Sequence, residues 1–372
     1  MKNTLLFFLL ISTCVSHNVV YGQFVLDKSP NIDASPVIDS QALCTVAGNT
    51  NKYLKTFTKD DFAVHAGTTF SHTITLAKVK ASLDFICEIH DQDKKNNSES
   101  RLHDPQFLKE NFKFFRWYPD KKTADALANN SKNAVKKRLL QNIPSDQLFL
   151  TKYYTKLLTG SPVKNSTYEH ALYALPDDEK GLSVEQADNK KSQLTRYQFT
   201  RQQVISGALD QQRLAKPLIW ISEEALHDVL LQGTGVIDVN GQRRYFNVHR
   251  NNGVAYDYTV GKRQQKRYWY FAEVSNIMGY GHSLASKIAI LPDVTFAGNV
   301  KELGLGKIFL VNYKVANKTI NQLGVLADQG GAFDNNLFQL DLLKGSYRGW
   351  NDYYAMNKQL PDYVNVWLVL VK

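Results

Sequence analysis

Apolar residues recur at helical spacing over the first third of the chain and at strand spacing over most of the rest. Within Ser40–Gln141, VKASLDFICEIH places Val79, Leu83, Ile86 and Cys87 on one helical face. DPQFLKENFKFF opens with a proline near the first turn and aligns Leu108, Phe112 and Phe115, which predicts a helix that includes both phenylalanines. NAVKKRLLQNIP predicts a helix ending before Pro144, and DQDKKNNSESR reads as a charged loop. These helices read as scaffold.

After about Asp146 the pattern turns to β. QLFLTKYYTKLL is a strand rich in aromatic and branched residues, and HALYALPDDEKG is a short strand followed by a turn. One helix interrupts, SEEALHDVLLQGTG. Ser222 caps it, Glu223 and Glu224 suit the positive end of its dipole, Leu226, Val229 and Leu230 form its buried stripe, and Gly233 stops it. VIDVNGQRRYFNV is a hairpin turning at Asn240-Gly241 in type I′ geometry. Asn252-Gly253 marks a further turn before VAYDYTV. From about Phe271 a series of strands runs to YVNVWLVLVK, with no internal repeat and no low-complexity linker.

The first residues do not fit either pattern. MKNTLLFFLLISTCVSHNVVYGQ has one early lysine, an apolar run from Leu5 to Ile11 and a polar tail, which predicts an export signal over 1–22. The run is too short to cross a bilayer. Cleavage ahead of Gln23 is one exit; lipidation of Cys14 within LISTC, giving an outer-membrane anchor, is the other. Both leave Cys44 and Cys87, either as a disulfide or as two buried thiols.

The chain has 372 residues, 43% of them hydrophobic and 22% charged, which is room for two domains and too apolar for a disordered protein. A net charge of +10 implies an acidic partner: nucleic acid, an anionic membrane surface or an anionic polymer. The densest basic run, GKRQQKRYWYF, mixes Lys262, Arg263, Lys266 and Arg267 with Tyr268, Trp269 and Tyr270. It reads either as a single-strand nucleic-acid patch or as a strand beside a solvated loop.

Common catalytic signatures are missing. There is no HExxH, no cysteine–histidine metal spacing, no phosphate loop, no GxGxxG after a strand and no GxSxG. Ser283 beside His282 has no evident third partner. What remains is carboxylate chemistry beside glycines. In LADQGGAFDNNLFQLDLLKG, Asp328 precedes Gly330-Gly331 and Asp341 follows on a strand. Alone, such an aspartate is a turn residue.

Six stretches in order change that reading: FLTKYYTKLL, HALYALPDD, LLQGTGVIDVNG, SLASKIAILP, LADQGGAF and RGWNDYY. Together, from about Leu148 to the C-terminus, they resemble the membrane-bound lytic murein transglycosylase A family with its C-terminal three-aspartate domain. The resemblance implies a mainly β protein with N-terminal helices. A double-psi β-barrel would be interrupted by a second, barrel-like β domain, with a groove between them. The implied division is a helical part and first barrel strands at 23–157, the insert at 158–270, and the rest of the barrel at 271–372.

The implied activity is cleavage of the β-1,4 bond between MurNAc and GlcNAc in peptidoglycan, leaving a 1,6-anhydromuramic acid end. No metal or organic cofactor is needed, and no nucleic-acid partner is expected. Asp328 would be the single catalytic acid and then base. Thr151, Tyr153, Tyr154, Gln232, Gly233, Gly330, Gly331 and Asp341 would contact or shape the substrate site. The setting would be the bacterial periplasm. The alternative is a catalytically weak binder of cell-wall glycan. Departures from the family pattern bear on that choice: Lys287 stands where the first aspartate is usual, Asp334 where a lysine is usual, and Lys152 where a glycine is usual. Lys287 and Asp334 would form a swapped ion pair; without it, Lys287 would favour ionised Asp328 and weaken it as an acid.

Overall fold

The computed structural model describes residues 22–70, 73–330, 333 and 335–372. The expected export signal and Cys14 therefore lie outside the described residues, as do Gly331 and Asp334. No helix among the described residues is long and apolar enough to cross a membrane.

Fifteen strands are described. They are β1 (Gln23–Asp27), β2 (Phe112–Tyr118), β3 (Leu148–Thr159), β4 (His170–Tyr173) and β5 (Pro217–Ile221). Next come β6 (Thr234–Val239), β7 (Gln242–Asn251), β8 (Trp269–Val274), β9 (Ile277–Met278) and β10 (Ala289–Ile290). The C-terminal set is β11 (Thr295–Ala297), β12 (Ile308–Val315), β13 (Lys318–Asp328), β14 (Gln339–Tyr347) and β15 (Tyr363–Val371). Among the described residues there are also eleven α-helices, so the protein is mainly β with helices concentrated toward the N-terminus.

Six strands close into a barrel in the order β15-β12-β13-β11-β14-β3, with β3 pairing back onto β15. Two of its contacts, β11–β13 and β14–β3, are parallel. β15 is apolar nearly throughout because the barrel interior fills one face and helix Leu76–Lys95 packs against it on the other. Helices Ser40–Thr56 and Leu76–Lys95 bury Leu43, Leu54, Leu83 and Ile86 completely. A Cys44–Cys87 disulfide joins them, which resolves the two options in favour of the bridge. Closing a loop of 43 residues contributes about 4 kcal/mol in the chain-entropy account.

β3 leaves the first barrel and enters a second. Its last residues, Leu157–Thr159, pair with β6, and β6-β7-β8 continue the sheet. β4 and β5 form a hairpin pair, and single bridges Ser161–Trp220 and Ala174–Phe271 close the ring. Its core is separate, built on Leu158, Ile219, Trp220, Leu226, Val229, Phe246 and Phe271. Leu150 belongs to the first core and Leu158 to the second, so one twelve-residue strand carries both.

The helix expected to include Phe112 and Phe115 is corrected: it ends at Asn111, and Phe112–Tyr118 is strand β2, paired with β1 and β15. Aromatic side chains fill a two-sided sheet position better than a helix, and ladder bonds on both edges override a spacing that suits either state. Asp91–Lys95, expected as loop, is the last turn of its helix. The helix after Ser222 matches its reading: Ser222 Oγ accepts from Ala225 N, and Gly233 ends it at φ 74°. Asn240 and Gly241 turn the β6–β7 hairpin with φ of 54° and 86°, as type I′ requires. Short helices at Val184–Asp188, Arg201–Ile205, Ala208–Gln211 and Trp350–Asn357 were not expected.

Candidate active site

Ala297, at the end of β11, lies between two aspartates. It pairs with Asp328 on β13 and with Asp341 on β14. A β-bulge between Phe296 and Ala297 permits this double register. Asp341 in turn faces Thr151 on β3, and Tyr153, two residues along β3, shares Thr151's side of the strand. The Tyr153 hydroxyl donates to Asp328 Oδ2 at 2.9 Å, and Gln329 N donates to Oδ1 at 2.8 Å.

Both carboxyls are held in an unusual state. Burial pushes Asp328 up to about 6, against the opposing pull of the Tyr153 hydroxyl, the Gln329 N–H and the Lys287 ammonium. Burial pushes Asp341 up to about 7; the Thr151 hydroxyl opposes this, the Asp328 charge adds to it, and Lys152 opposes it. Asp341 Oδ1 is buried without a hydrogen-bond partner among the described residues. Both carboxyls are thus held above the usual aspartate range, chiefly by burial, and each keeps its proton to higher pH than an ordinary aspartate. Lys287 is held below the usual lysine value by burial, partly offset by Asp328.

These groups lie in a cleft of about 630 Å³. Asp328, Asp341, Tyr153, Tyr154, Gln232, Gly233 and Gly330 all line it. Tyr154 presents a ring already stacked on Tyr353 at 4.6 Å. Gln232 is fixed, its Oε1 accepting from Lys156 N at 3.1 Å. Thr151 does not line this cleft; its hydroxyl accepts from Gln339 Nε2 at 2.7 Å beside a smaller neighbouring cavity. A Cβ at Gly330 would sit 2.6 Å from the Phe333 ring, so glycine there admits that phenylalanine. Lys152 reaches the Leu360 and Pro361 carbonyls and lies 3.6 Å from Asp362.

Sequence reasoning missed the opposite rim. Asp60 Oδ2 accepts from Tyr53 Oη at 2.7 Å and Tyr280 Oη at 3.0 Å, and His282 Nε2 is 3.2 Å away. Tyr280, His282 and Phe62 line the cleft. His282 thus has an aspartate partner, yet Ser283 bonds to Ser286 and not to His282, so no Ser-His-Asp relay forms. Asp60 is 220 residues from Tyr280, and no local pattern links them. Among the described residues no cluster of histidine, cysteine, aspartate and glutamate has metal-binding geometry.

The fold is therefore of a two-barrel class in which one strand is shared and a cleft is lined by two buried aspartates and by residues of both barrels. Residues 149–269 match the family model described as the MltA specific insert domain. The resemblance read from the motifs is borne out over that segment, and the mainly β architecture with a closed barrel agrees with the fold it implied.

Among solved structures, the membrane-bound lytic murein transglycosylase from Agrobacterium tumefaciens is 14% identical with a TM-score of 0.50, covering 91% of this chain and 98% of that one. MltA from Neisseria gonorrhoeae is 15% identical with a TM-score of 0.50, covering 90% and 92%. These likenesses establish the fold. No curated protein matches the chain.

Proposed function

We propose that this chain is a lytic transglycosylase of peptidoglycan, with Asp328 as its single acid and then base. The observation that carries the reading is geometric: the Asp328 carboxyl lines the cleft between the barrels, holds the Tyr153 hydroxyl at 2.9 Å, and is pushed up to about 6 by burial. Protonated Asp328 gives its proton to the oxygen linking MurNAc to GlcNAc as the C1–O bond breaks. The C6 hydroxyl of the same MurNAc then attacks C1, and the Asp328 carboxylate takes the hydroxyl proton. The products are a free GlcNAc hydroxyl and a 1,6-anhydromuramic acid end, and Asp328 is again protonated. The sugar supplies its own nucleophile, so no second protein carboxylate is required.

The other roles follow. Tyr153 steadies the Asp328 carboxylate after proton release, and Asp341 resists a second negative charge beside it. Tyr154, Gln232, Gly233 and Gly330 contact the sugars, with Gly331 beside them in sequence; Thr151 acts only through Asp341. The parallel pairs β11–β13 and β14–β3 support a double-psi arrangement of the first barrel. The separate cores support the division 23–157, 158–270 and 271–372. Export to the periplasm, with cleavage near 22 or an anchor at Cys14, belongs to the same reading.

One observation favours the weaker-binder alternative: the Lys287 ammonium faces Asp328 and pulls it toward the ionised form. Purified protein and an Asp328→Asn variant incubated with isolated murein sacculi decide between them. Anhydro-muropeptides released by the wild type alone, identified by mass spectrometry, support cleavage. Sacculi bound by both proteins without anhydro products would leave the binder.

A further inference from the structure

The basic run GKRQQKRYWYF is not used by the groove. It forms the wall of a separate pocket of about 340 Å³, between helix Glu223–Gln232 and the loop at 254–267. The loop has no regular structure, yet it is pinned. Arg201 donates to the Arg267 and Lys262 carbonyls at 2.9 Å each, Gln202 to the Gln265 carbonyl at 3.2 Å, and Gln265 to the Asp257 carbonyl at 2.6 Å. A chain that fixes a cationic loop with the buried Arg201 and Gln265 side chains has made a preformed surface.

The pocket has unspent positive charge. Of its acids, Glu224 is paired with Arg263, and Asp228 with Lys156 at 2.5 Å. Arg201, Lys262 and Arg267 have no carboxylate partner among the described residues. The Arg267 guanidinium lies 4.5 Å over the Trp269 ring, which sets its plane. Among the described residues its Nε is buried with no hydrogen-bond partner, as is His227 Nδ1 on the facing helix. Leu230 and Leu231 supply an apolar side, and Leu231 is 53% exposed. An occupant must therefore bring an anionic acceptor and a short aliphatic part, which is the chemistry of a carboxylate-bearing amino-acid residue.

Position selects its source. Gln232 lines the groove, and His227 and Leu231 line this pocket on the same helix, five residues or fewer away, or up to about 8 Å along the axis. We propose that this pocket is a second binding site, which receives a carboxylate of the peptide stems attached to the glycan in the groove; this rests on the peptidoglycan reading above. Single-stranded nucleic acid fits less well, because it needs a continuous groove with successive stacking rings. The pocket offers Trp269 and Tyr256 only.

The test titrates the full chain calorimetrically with sugar-free L-alanyl-γ-D-glutamyl-diaminopimelate. The expected result is binding to wild type and equally to Asp328→Asn, with affinity lowered at least about tenfold in Arg267→Gln and in the exposed-site variant Lys262→Gln. No binding to folded wild type, or equal binding by all four proteins, overturns the proposal. Displacement of the peptide by a short DNA oligomer, with oligomer binding lost in the same variants, also overturns it and assigns the pocket to nucleic acid. The probe carries no glycan, so failure of the cleavage reading appears separately, as missing anhydro-muropeptides with Arg267-dependent peptide binding intact.

Discussion

Glu179 in the second barrel and Asp328 in the first are both carboxyls withdrawn from water, and the protein treats them in opposite ways. Glu179 is fully enclosed, and each of its oxygens meets a guanidinium: Arg196 Nε at 2.6 Å and Arg250 Nη1 at 2.7 Å. Arg250 goes on to the Leu182 carbonyl at 2.8 Å, so the charges are paired and their donors used. Asp328 has a neutral phenol and one backbone N–H, and among the described residues no cation lies within ion-pair distance. Its neighbour Asp341 has one oxygen with no partner among the described residues. A buried carboxylate given two cations is part of a structural ion-pair network. One given neutral donors, beside a second acid, is pushed above the usual aspartate range.

The largest expected effect separates the two sites by function. Asp328→Asn keeps the shape and removes the titrating group; release of anhydro-muropeptides should fall at least about a thousandfold, with little change in the unfolding midpoint. An Asp328→Asn enzyme with ordinary turnover would end the assignment. Glu179→Gln should do the reverse. It strands two buried guanidinium groups and should cost about 3–5 kcal/mol of stability in denaturant unfolding. Per-molecule activity of the folded fraction should persist.

The third effect is smaller and has a sign. Asp328 and Asp341 lie above their ordinary value of 3.8 in the fold, at about 6 and about 7. The native state therefore holds more protons than the unfolded chain between those limits. Their contribution to stability is fully present below about pH 4 and is lost as pH rises through 6 to 7. An Asp328→Asn/Asp341→Asn variant should match the wild type at pH 4 and exceed it at pH 8, by on the order of 1 kcal/mol, since the cleft side is open to water. A gap that narrows toward pH 8 would mean the two carboxyls are not raised.

The two sites also differ in how far the sequence discloses them. The Ser222 cap, the Gly233 stop and the Asn240-Gly241 turn are local chemistry and were legible. So was β3, because aromatic and branched residues crowd it. Phe112–Phe115 was not, since its spacing serves a helix as well as a strand and only ladders with β1 and β15 decide. Helices of four or five residues carry too few positions to show a period. Asp328 stood out through a run of short motifs around it and not through its own Gly-Gly. The Asp60–Tyr280–His282 rim and the Glu179–Arg250 pair join residues 220 and 71 apart, and folding alone brings them together.

The finest test lies at Lys287, which makes the first site slightly resemble the second. Burial and Lys287 act on Asp328 in opposite directions, and burial wins, because the carboxyl ends near 6 and not below 3.8. Removing the cation as Lys287→Met keeps the aliphatic stem and deletes the opposing pull. Asp328 should then hold its proton to higher pH, and the alkaline limb of the cleavage profile should move upward by a fraction of a pH unit, since Lys287 is the weakest of the pulls opposing burial. The rate well below that limb should barely change, because Asp328 is already protonated there. The unfolding midpoint should rise slightly, since a desolvated ammonium with no carboxylate at ion-pair distance among the described residues is removed. If the limb stays in place, Lys287 does not act on Asp328 through its charge. If it moves downward, the limb reports a group other than Asp328, and Asp341 becomes the acid to substitute next.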